Sequence, residues 1–64
     1  MNTKNEINRK IKEELNSISK REHAIETMRK IEELPDDIKQ GIIDINQQGI
    51  DGQKKVVEIL KKKI

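Results

Sequence analysis

The chain has 64 residues and a net charge of +2; 41% of it is charged, 31% is hydrophobic, and it contains no aromatic residue and no cysteine. Disulfide staples are excluded, and the single histidine, His23, rules out a zinc site built from Cys and His. Without aromatic rings the usual platforms for stacking nucleic-acid bases are missing too. So thin an apolar supply predicts a chain stabilised by association, either as a homodimer or on a protein partner.

The missing cysteines and the lack of a long apolar run or an apolar leader predict a soluble, cytoplasmic protein with no membrane contact. The Lys-, Ile- and Asn-rich composition is of a kind that AT-rich bacterial and phage genomes encode. Charge is unevenly spread. Residues 1–21 carry six Lys/Arg against three Glu, or +3. Residues 22–51 carry three against eight, or −5, and residues 52–64 carry five against one, or +4. A basic–acidic–basic order can complement itself when helices fold back or pair between chains.

In the first segment Ile7, Ile11, Leu15 and Ile18 recur at spacings of four, four and three. At about 100° per residue this is a narrow apolar stripe on a polar rod, close to a coiled-coil seam. Asn2 and Thr3 offer an N-cap. Ser19 to Glu22 has the spacing of a capping box, but no Gly or Pro separates the halves. The expectation is one long helical region over 1–34, bent near 19–22, with Ile25, Met28, Ile31 and Leu34 on a rotated face. Pro35 ends it and opens the next helix, whose dipole favours Asp36 and Asp37 in the first turn.

Over 35–64 the pattern predicts a helical pair. Ile38, Ile42 and Ile45 share a face, with Ile43 off it. Gly49-Ile50-Asp51-Gly52 reads as a break, Gly49 as a left-handed cap and Asp51 as the cap of the last helix. That helix sets Val56, Val57, Ile59, Leu60 and Ile64 against Lys54, Lys55, Lys61 and Lys62. The predicted fold is all-α: one long N-terminal helical region followed by two shorter helices, in a single domain. Its core is Ile31, Leu34, Ile38, Ile42, Ile45, Val57 and Leu60.

Chemistry is sparse. His23 lies between charged neighbours with no second ligand, and Thr3, Ser17, Ser19 and Thr27 have no base partner in the pattern. Glu13-Glu14, Glu32-Glu33 and Asp36-Asp37 are adjacent pairs rather than converging carboxylates, and Asp44 to Asp51 does not space a calcium loop. No phosphate-binding Gly-rich loop is present. The expectation is a non-enzymatic regulatory protein without metal, cofactor or small-molecule substrate. It would bind another protein, such as a transcription or replication factor, through helix faces, with Ile7, Ile11, Leu15 and Ile18 as the contact stripe. The alternative is a small DNA-binding regulator with a helix-turn-helix-like segment over 38–62, using Lys54, Lys55, Lys61 and Lys62.

Overall fold

A computed structural model describes residues 3–64 and contains two helices, α1 (Thr3–Lys30) and α2 (Asp36–Lys61), joined by the five residues 31–35. They pack along one another as an antiparallel hairpin, a rod of 50 × 14 × 12 Å. No strand occurs among the described residues. The proposed cap at Asn2 lies outside them.

α1 runs without interruption through Ser19 and Glu22, so that capping-box spacing does not start a helix. It stops at Lys30, four residues before the expected end. The Ile31 amide closes the last turn on the Met28 carbonyl at 3.3 Å. Pro35 then takes the N-cap position of α2, Asp36 and Asp37 fill the acidic first turn, and the Ile38 amide donates to Asp37 Oδ1 at 2.9 Å. The last turn of α1 carries Arg29 and Lys30, which complement the opposite pole of its dipole.

The main departure from the sequence reading is in α2. Residues 49–52 are helical, neither Gly49 nor Gly52 adopts a positive φ, and the expected helical pair is one helix. An interior helix Gly costs about 1 kcal/mol against Ala. Burying an aliphatic side chain contributes roughly 1.5–3 kcal/mol, and Ile50, between the two glycines, is the most buried of the described hydrophobic residues at 2% exposure. Tertiary packing therefore outweighs the local preference for a break. A side-chain bond one turn apart, Gln47 to Asp51 at 3.1 Å, braces the same stretch, and Gln40 to Asp44 at 2.8 Å does so earlier in α2.

The core is a seam between the helices. Ile11, Ile18 and Ile25 of α1 recur every seven residues, and so do Ile43, Ile50 and Val57 of α2. Ile11, Ile18, Ile25, Ile50 and Val57 are buried, and Ile43 packs against the Ile18–Ile25–Ile50 cluster. The core predicted from sequence is thereby corrected. Of its members only Val57 is buried; Ile31, Leu34, Ile42 and Leu60 are half-buried, and Ile38 and Ile45 are exposed. Ile43, read as off the face, faces the core.

Gly41 and Gly49 separate two effects of glycine. A Cβ at Gly41 would meet nothing within 4 Å, whereas one at Gly49 would run into the Arg21 guanidinium. Gly41→Ala is expected to raise stability by about 1 kcal/mol through helix propensity alone. Gly49→Ala should gain less, because Arg21 must move off the α2 backbone. Urea unfolding followed by circular dichroism of the two variants side by side checks the difference.

Candidate interaction surface

Between the isoleucine layers the seam carries two polar ones. Gln53 Nε2 donates to Glu14 Oε2 at 3.1 Å, and Arg21 Nη1 donates to Asn46 Oδ1 at a long 3.5 Å. Asn46 is itself anchored by a 2.9 Å bond from its Nδ2 to the Ile42 carbonyl. Both bridges join positions that alternate with the isoleucines at spacings of three and four. They hold one register, with Glu14 level with Gln53 and Arg21 level with Asn46. Sliding one helix by a turn would set these half-buried groups against isoleucines and leave them without partners, which disfavours the shifted register.

Glu14 also pairs with Lys10, Nζ to Oε1 at 3.0 Å. The Lys10 bond first, then the Gln53 bond, holds its carboxyl below the ordinary carboxylate range, against a smaller opposing effect of burial. A depressed carboxylate stabilises the fold above its unfolded pKa and loses that contribution as pH falls through the folded value. Acid titration of helix content should therefore show a destabilising step beginning in the ordinary carboxylate range and extending below it. Glu14→Gln should reduce that step. An unchanged acid limb in the variant would exclude Glu14 as its source.

The four residues expected to form the contact stripe do not share one environment. Ile11 and Ile18 are buried against α2, Ile7 is half-buried, and Leu15 is 48% exposed. The stripe is not a free surface, because the antiparallel seam consumes every seventh residue of it. Leu15 borders a shallow groove with Ile18, Glu22, Lys54, Val57, Glu58 and Lys61. Lys54, Lys55, Lys61 and Lys62 are exposed. The turn that would make Lys54 and Lys55 the start of a recognition helix is helical, so the helix-turn-helix-like reading of 38–62 is corrected as well.

A second row lies along one flank of α2. Ile38, Ile42, Ile45, Gly49, Gly52, Val56 and Ile59 follow at strictly alternating spacings of four and three. At 100° per residue this row is turned roughly 100° from the seam that faces α1. Ile38, Ile45, Val56 and Ile59 are exposed, Ile45 by 67% and Ile59 by 57%, and Ile42 is half-buried. The parts of this row are visible in the sequence, but a break expected at Gly49 splits it and conceals its length. The signal was the unbroken four–three spacing across both glycines.

Among the described residues no group of three or more His, Cys, Asp or Glu is placed to hold a metal ion. No helix among them is long and apolar enough to cross a membrane. No known protein family, curated protein or solved structure matches this chain.

Proposed function

We propose that the chain is a non-enzymatic, regulatory helical hairpin that works by docking its α2 outer face onto another helical protein surface, in the manner of a coiled coil. The observation that carries this reading is the seven-residue apolar row from Ile38 to Ile59, with four large aliphatic side chains exposed on one face. An intramolecular core needs only the Ile43–Ile50–Val57 row. A second row with the same alternation, a quarter-turn away, is the pattern of a helix with two neighbours. Such a face reads a partner through aliphatic knobs rather than aromatic anchors, and acts by occupancy.

The test is site-specific photocrosslinking in the native host. A photoreactive residue at Val56 should give a discrete adduct with a polypeptide, whereas the same residue at exposed Lys12 on α1 should give none. Equal labelling at both positions, or none at Val56, would discard the docking face.

A further inference from the structure

We infer that the occupant of the α2 outer row is a second copy of this chain, running antiparallel about a two-fold axis beside Gly49; this rests on the docking reading above. The first support is the charge layout of the folded hairpin. Folding back sets the +3 block of residues 1–21 beside the +4 block of residues 52–64, while the −5 block wraps the turn. Glu32, Glu33, Asp36 and Asp37 surround one tip of the rod, and Lys4, Lys61, Lys62 and Lys63 lie toward the other. Within a single hairpin the basic blocks touch the acidic one only at their edge, where Arg21 reaches Asn46 and Gly49, and the acidic tip stays apart from the lysines at the far end. The two ends meet when a second hairpin lies alongside in the opposite direction.

The second support is residue-level complementarity along the row. With Gly49 opposite its symmetry mate, antiparallel pairing sets Ile45 against Gly52, Ile42 against Val56 and Ile38 against Ile59. Glycine meets glycine at the axis, and at every other level a large side chain meets a glycine or another aliphatic residue. On the outward flank of this row lie Asp37, Gly41, Asp44, Gln48, Asp51, Lys55, Glu58 and Lys62, all exposed. In an antiparallel pair a flank faces the same flank of its partner. Asp37 then meets Lys62, Asp44 meets Lys55, and Gln48 meets Asp51, each pairing occurring twice by symmetry. A parallel pair would instead lay one acidic tip over the other. Arg21, which reaches Gly49 from the α1 side, meets its symmetry mate near the axis. That approach, together with Glu58 lying opposite Gly41 between the partner's Asp37 and Asp44, is outnumbered by four attractive pairings of Asp with Lys, so the antiparallel arrangement is favoured.

Sedimentation equilibrium of the full chain should show a reversible, concentration-dependent dimer. Asp44→Lys or Lys55→Asp alone should weaken it roughly five-fold or more, because each places like charges together at both symmetry-related sites. The double variant should return to within about two-fold of the parent. Helix content followed by circular dichroism keeps loss of association apart from loss of folding. Since the chain has no cysteine, Asp44→Cys mixed with Lys55→Cys should form a mixed disulfide, while Lys62→Cys alone should not link to itself. A folded monomer at every concentration would overturn the proposal, as would a double variant no better than the singles or efficient Lys62→Cys self-linking. The monomer result would still leave the photocrosslink at Val56 to decide whether a different protein docks there.

Discussion

Ile50→Ala is expected to unfold most of the chain at room temperature. Ile50 is the most buried of the described hydrophobic side chains, at the centre of the Ile18–Ile25–Ile50 cluster and flanked by two helix-weakening glycines. Truncating a buried isoleucine to alanine costs about 2–5 kcal/mol. A core of this size without disulfide or metal supplies no more than about 3–5 kcal/mol, so the cost matches the whole. The matched control is Ile45→Ala, the same change at a 67% exposed position of the same helix. There the loss of hydrophobic burial in the monomer is small, and Ala is the better helix former. Urea unfolding at concentrations below those of association should show the two variants far apart. Similar midpoints would mean that the seam is not what holds the hairpin.

The legible part of the fold was the part with strong local punctuation. Pro35, followed by two aspartates, marks the start of α2, and the absence of Gly or Pro before it marks α1 as one helix. What the sequence concealed was which isoleucines face inward. The stripe Ile7, Ile11, Leu15, Ile18 and the row Ile11, Ile18, Ile25 overlap, and a helix wheel alone does not choose between them. The choice is made by α2, whose Ile43, Ile50 and Val57 supply a matching seven-residue row only if residues 49–52 stay helical. Two glycines around Asp51 carry a strong local signal for a turn, and it is overridden by burial of Ile50 that becomes visible only with the partner helix in place. Reading Gly49 as a cap takes Ile50 out of the core and cuts the outer row in two. The same local turn signal underlies the helix-turn-helix-like alternative and conceals the outer face of α2, the candidate surface.

The polar layers lead to the second large effect, and it has the opposite sign. Glu14 and Gln53 occupy seam positions where isoleucine or leucine would bury more apolar area, and Gln53 Oε1 is buried with no hydrogen-bond partner. Replacing one member alone strands the other, so Gln53→Leu should destabilise by leaving Glu14 with only its Lys10 contact. Replacing both removes the polar group and its unmet acceptor together. Glu14→Leu with Gln53→Leu is therefore expected to stabilise the hairpin by about 1–3 kcal/mol. The gain should carry a cost in uniqueness. With only Arg21 and Asn46 left to specify register, a continuous aliphatic seam tolerates slippage by a turn and pairing between chains. Thermal melts should shift upward while amide resonances broaden or double, and sedimentation should reveal species larger than the parent. A double variant that is less stable than either single would show that the Glu14–Gln53 bridge contributes net stability rather than register.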